Sequence, residues 1–143
     1  LIMSWPASIL MVADGEEHIE DLVILLQKDI EVESLLTESN SSVLHFAALE
    51  WNSPSLFIQL TTLLPKYFIN LANENGETPL HWGCRNSLDI VKILISSGAN
   101  IHQQDYDGNS PLLFAIEAGK YEIVEYLIKM DFSLLSKTNF DRE

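Results

Sequence analysis

Four histidines and one cysteine are the side chains best suited to nucleophilic, acid–base or soft-metal chemistry in this 143-residue chain: His18, His45, His81, His102 and Cys84. His81 and Cys84 stand three residues apart, but a structural zinc site takes four ligands and a single cysteine leaves it without partners. A reactive thiol needs a depressed pKa and exposure; only Arg85 adjoins Cys84, with no basic cluster around it. Gly76, Gly83, Gly98, Gly108 and Gly119 are too dispersed to make a phosphate-cradling loop. The acidic stretch from Asp14 to Asp21 lacks the alternating Asp/Asn ladder and closing Glu of a calcium-binding loop. No catalytic constellation forms. The chain is read as a non-enzyme, with no cofactor, no metal and no small-molecule substrate.

Charge narrows the partners. The formal net charge is −13, from 21 acidic and 8 basic residues. Nucleic acid is not expected, because phosphate binding needs clusters of Lys and Arg, and anionic membrane surfaces are disfavoured on the same ground. A basic protein partner is favoured, since opposite charge raises encounter rates. Nine of the acids lie within residues 1–40, against Lys28 alone, so that segment carries −8 of the −13. Two readings fit it: a solvated terminal cap, whose outer face must be polar, or a docking patch for a basic partner.

No apolar run reaches the 18 or more residues of a membrane helix, so membrane insertion is not expected. Residues 1–13 are apolar but lack the basic flank of a signal peptide; they read as a packed first helix. One cysteine allows no internal disulfide, which fits a reducing, intracellular compartment, cytoplasmic or nuclear. The chain opens on Leu1-Ile2-Met3 and stops at Asn139-Phe140-Asp141-Arg142-Glu143, where another hairpin would begin. Both ends look cut, and a fragment of a longer protein is expected.

The elements that must position these side chains repeat. Gly76-Glu77-Thr78-Pro79-Leu80-His81 returns 32 residues later as Gly108-Asn109-Ser110-Pro111-Leu112-Leu113. Ile90, Val91, Leu94 and Ile95 return as Ile123, Val124, Leu127 and Ile128. In the clearest unit, Asn73 to Gly76 forms a turn, Thr78 N-caps a helix, and Pro79 occupies its first position, where the missing N–H costs nothing. Leu88 to Ile95 follows with helical apolar spacing and ends at Gly98, an expected left-handed cap. Earlier, Ser42 to Ala48 is an eroded version with Val43 in place of proline. Asn52 to Ser55 reads as an enlarged loop, and Leu56 to Leu64 as a helix stopped by Pro65.

Repetition near 33 residues around a Thr-Pro-Leu-His core resembles the ankyrin-repeat family. That resemblance implies an all-α solenoid, helix pairs joined by β-hairpin loops, with about four units at 1–39, 40–72, 73–104 and 105–137 in a single domain 1–143. A further hairpin would start at 138–143. It implies that His45 and His81 serve as structural hydrogen-bonding residues between hairpins. The family usually places a glycine between the two helices of a unit; Asn86-Ser87 stands there with one residue missing, so a shortened first helix is expected. In the fourth unit Leu113 replaces the usual histidine, and Asp131-Phe132 replaces the closing Gly-Ala, which implies a weaker cap. Ile123 and Leu127, at the end of the array, are expected to be partly exposed.

The family also implies the function: a protein–protein interaction module whose hairpin tips and first-helix faces form a concave binding surface. Carried over residue by residue, that surface comprises Phe46 in the second unit, with Leu49 and Glu50. The third unit gives Glu74, Asn75, Glu77, Trp82, Arg85 and Asn86, and the fourth gives Tyr106, Asp107, Asn109, Phe114 and Glu117. Phe46, Trp82 and Phe114 fall at one equivalent position in three units. They would form either a row of aromatic anchors or a cover over the helix–hairpin junction. The alternative function is a stand-alone acidic chaperone or inhibitor that shields a basic client protein.

Overall fold

The computed structural model describes residues 39–136. The expected first unit, its acidic stretch and the hairpin start at 138–143 lie outside them. Within them the chain forms six α-helices: α1 (Val43–Glu50), α2 (Pro54–Leu63), α3 (Pro79–Gly83), α4 (Leu88–Ser96), α5 (Pro111–Glu117) and α6 (Tyr121–Met130). Short 3-10 segments at Lys66–Asn70 and Phe132–Ser136 follow α2 and α6. Among the described residues no strand is present beyond an isolated bridge at Ser42. Successive first helices α1, α3 and α5 stack on one another, as do the second helices α2, α4 and α6, giving two layers of helix pairs.

Local chemistry sets the helix starts. Ser42, Thr78 and Ser110 are extended residues at three equivalent N-caps, and proline follows the last two. Without proline, α1 still begins in phase, at Val43. There the Ser42 hydroxyl accepts the His45 N–H (3.3 Å) and His45 Nδ1 accepts the Ser42 N–H (3.0 Å), a reciprocal cap that replaces the ring constraint. The helix expected at Leu56–Leu64 instead starts at Pro54, because Ser53 caps it and Pro54 takes the first position. Only Trp51 to Ser53 remains as connector.

The third unit's first helix is the short one expected, Pro79–Gly83. Asn86, past its end, sends its amide back a whole unit to the Trp51 and Ala48 carbonyls, at 2.7 and 3.0 Å. One side chain thus satisfies carbonyls at the C-terminal end of α1 that the helix leaves unpaired.

Leu44, Leu80 and Leu112 from the first helices meet Phe57, Leu60, Ile90, Leu94, Ile123 and Leu127 from the second, all buried in one core. Ile123 and Leu127 are 1% and 0% exposed, against the expectation of a partly open edge. The 3-10 segment after α6 packs on that helix and drives Leu134 into the same core. The exposed apolar residues at this end are Ile116, Met130, Phe132 and Leu135. In place of the usual glycine cap, Asp131 is extended (φ −152°) and its carboxylate accepts from the Ser133 N–H, at 2.9 Å, and hydroxyl.

Gly76 leaves no room for a side chain. Its φ is +78°, and a Cβ there would lie 2.8 Å from the Tyr106 backbone nitrogen. Gly98 is also left-handed (φ +102°) but has open space around it. Gly76→Ala is expected to lower unfolding free energy by roughly 2 kcal/mol or more, and Gly98→Ala by about 1 kcal/mol, in urea denaturation. Equal losses would contradict the close-approach explanation.

Candidate functional site

One side chain builds each hairpin turn. Asn73 Oδ1 accepts the N–H groups of Asn75 (2.9 Å) and Glu77 (3.0 Å), and its amide donates to Ser41 Oγ and Glu77 Oε1, both at 3.1 Å. Asp105 repeats the arrangement with the N–H groups of Asp107 (3.0 Å) and Asn109 (2.8 Å). Short carboxylate and amide side chains favour such turns because they reach their own backbone two residues on. Neighbouring turns are joined edge to edge: the Tyr106 N–H donates to the Asn75 carbonyl (3.0 Å) and the Glu74 N–H to the Ser39 carbonyl (2.7 Å).

The histidines tie each helix pair to the following hairpin. Nδ1 of His81 accepts the Thr78 N–H at 3.0 Å, as Nδ1 of His45 does from Ser42. That fixes the proton on Nε2, which donates to the next unit's backbone: His45 to the Glu77 carbonyl (2.8 Å) and His81 to the Asn109 carbonyl (3.0 Å). Both rings are fully buried. Burial pulls the His45 pKa down to about 4 and lowers that of His81, so both stay neutral at physiological pH. The implied structural role of these histidines is what the geometry provides. Cys84 is buried too, and burial pushes its thiol pKa up, away from nucleophilic use. Among the described residues no group of three or more His, Cys, Asp or Glu could hold a metal ion. None of their helices is long and apolar enough to cross a membrane.

The aromatic residues lie against these imidazoles. Trp82 meets the His45 ring edge-to-face at 5.3 Å and Phe46 at 5.1 Å, and Phe114 meets His81 at 4.9 Å. Their exposure differs: Phe46 and Trp82 are half-buried, whereas Phe114 is 4% exposed. The Arg85 guanidinium lies over the Phe114 ring, 4.5 Å from its centroid. Phe114 thus covers the junction, with Arg85 presented above it.

The other sequence-derived residues separate into two groups. Glu77, Asn86 and Asn109 spend side-chain polar atoms inside the scaffold: Glu77 on Asn73 and Trp82 Nε1, Asn86 on α1, and Asn109 on Asp105. Glu74, Asn75, Arg85, Tyr106, Asp107 and Glu117 are exposed along the turns and first helices. Tyr106 is 69% exposed although its backbone is pinned to the neighbouring turn. In the sequence Asn73 opens a turn and Asp105 opens a unit, and neither type alone announces more. The signal for their organising role was a residue of this type at equivalent positions, three before Gly76 and Gly108.

Charge is unevenly divided between the layers. On the turns and first helices, Glu50, Glu74, Glu77, Asp105, Asp107 and Glu117 face a single base, Arg85. On the second helices and 3-10 segments, Asp89, Glu122, Glu125 and Asp131 are balanced by Lys66, Lys92, Lys120 and Lys129. Among the described residues, the excess of negative charge therefore belongs to the hairpin side.

Comparison with known proteins bears on this geometry. The family model for ankyrin repeats in three copies matches residues 44–138. The ankyrin repeat protein OPG189 of variola virus is 32% identical over 116 residues, 80% of this chain and 20% of that protein. A putative ankyrin repeat protein of Acanthamoeba polyphaga mimivirus is 39% identical over 67 residues, 46% of this chain and 16% of that one. The target of rapamycin complex 2 subunit AVO2 of Saccharomyces cerevisiae is 29% identical over 97 residues, 67% of this chain and 22% of the subunit. The chain spans about a fifth of the length of these relatives.

The buried imidazoles give stability a pH dependence with a definite sign. His45 titrates at about 4 when folded and at 6.5 when free, so the unfolded chain binds protons first as pH falls. The histidine contribution is complete above pH 6.5 and is lost as pH drops from there toward 4. His45 is expected to remove up to about 1.4 kcal/mol per pH unit in that window, with His81 acting in the same direction. Urea midpoints at about pH 7.5 and about pH 5 check this. His45→Leu should lower stability at the higher pH and flatten the slope; an unchanged slope would contradict the assignment.

Proposed function

The chain belongs to the ankyrin-repeat family, whose repeats generally mediate protein–protein interaction, and on that premise we propose that it binds a protein partner across its hairpin turns and first helices. The observation that carries this reading is the combination at Tyr106: a large side chain left 69% exposed on a backbone pinned against the neighbouring turn at Asn75 and Gly76. Ordering such a side chain in a complex forfeits little backbone freedom, which favours affinity. Tyrosine, tryptophan and arginine are also the types enriched at binding hot spots. Tyr106, Asp107, Glu74, Asn75, Trp82 and Arg85 form the core of the proposed surface. Glu117 and the half-buried Phe46 flank it, and Glu77, Asn86, Asn109 and Phe114 hold it in shape.

The acidic excess on this side supports a basic partner. AVO2 is, by its name, a subunit of a multiprotein complex; assembly of that kind is the role proposed here. The acidic chaperone or inhibitor reading shares the basic partner, and differs in that charge alone would hold the client. Retention of a purified partner by the intact chain separates them. Tyr106→Ala or Trp82→Leu should weaken retention by about thirtyfold or more, while helicity persists. Variants of the second helices, such as Lys92→Ala, should leave it unchanged. Retention that is insensitive to Tyr106 and Trp82 but abolished by salt would favour the chaperone reading instead.

A further inference from the structure

We infer that Trp82 seats an arginine side chain of the partner, a step that rests on the interaction-module reading and specifies its chemistry. The chain itself displays the required contact once. Arg85 lies over Phe114, one unit further on, with its guanidinium carbon 4.5 Å from the ring centroid. One unit earlier the ring is Trp82, and the residue in the position of Arg85 is Leu49. Among the described residues no cation is placed over the indole. Indole is the strongest cation acceptor of the aromatic side chains, and this one is half-buried where Phe114 is closed in.

Its surroundings suit a guanidinium. Glu77 Oε1 lies 3.3 Å from Trp82 Nε1, so a carboxylate is held at the ring edge. Glu74, on the turn before Trp82, and Glu50, at the end of α1, are exposed acids of the same layer. A planar guanidinium can stack on the ring while its N–H fork reaches a carboxylate, which the compact lysine ammonium cannot do. The charge division between the layers directs a basic segment to this side and away from the balanced outer helices. The committed occupant is therefore an arginine-bearing protein segment.

Fluorescence anisotropy with the intact chain tests this, using labelled peptides of alternating arginine and serine, and of alternating lysine and serine. The arginine peptide should bind several-fold tighter than the lysine peptide at matched charge. Trp82→Leu should weaken arginine-peptide binding about tenfold and erase the preference. Glu50→Gln and Glu74→Gln should weaken both peptides alike, chiefly at low salt. If Trp82→Leu loses helicity, Trp82→Phe replaces it and should give an intermediate loss. Equal binding of both peptides, or an arginine affinity that ignores Trp82, overturns the assignment. So does a chain that ignores the arginine peptide yet retains a purified partner in a Tyr106-dependent way; that result removes the arginine seat and leaves the interaction module intact.

Discussion

The bond from a buried neutral imidazole to the next unit's hairpin carbonyl is the constraint on which the rest depends. A helix pair of this size cannot bury its own apolar face, so stability comes from neighbours in register. Apolar packing alone tolerates sliding; a hydrogen bond inside a dry junction does not, because a slip would strand a buried donor and acceptor. His45 and His81 each use both ring nitrogens, one to cap their own helix and one to hold the following turn. Local helix initiation and long-range stacking are thereby the same event, at positions a unit apart.

The display surface follows from that junction. Aromatic rings close over the imidazoles and keep water out, which strengthens the bond and accounts for the low His45 pKa. Above them the turns are fixed by Asn73 and Asp105 and linked to each other through backbone bonds. Side chains not needed for this, Glu74, Asn75, Tyr106 and Asp107, project from a backbone with little freedom left. Where Leu113 replaces the histidine, no side-chain donor is offered to whatever follows. The 3-10 segment of the fourth unit buries Leu134 in the core, as the one after α2 buries Phe68.

Much of this was legible in the sequence because its causes are local. Thr78-Pro79 and Ser110-Pro111 announce helix starts by cap chemistry, and Gly76 announces a turn by its conformational freedom. The same logic applied to Ser53-Pro54, where a loop reading hid a cap, and α2 begins two residues earlier than expected. What was not legible is set across units. The short third-unit helix could be read from a missing residue, but not the reach of Asn86 back to Ala48 and Trp51. Trp82 and Phe114 are equivalent in sequence and each meets a histidine ring, but they differ in exposure: Arg85 closes over Phe114, and Leu49 stands in its place one unit earlier. The burial of Ile123 and Leu127 goes with a 3-10 segment that carries Leu134 into the core, as the one after α2 carries Phe68, and helical apolar spacing does not announce either segment.

The central claim is that His45 and His81 are neutral, carry their proton on Nε2, and donate that N–H as a hydrogen bond to the next hairpin. Long-range proton–nitrogen NMR correlations of the imidazole rings, followed through an acid titration, test it most directly. Both rings should show the Nε2–H tautomer at neutral pH and titrate below the ordinary histidine pKa, His45 at about 4. An Nδ1–H tautomer, or protonation of either ring near pH 6.5, the free-imidazole value, would contradict the account.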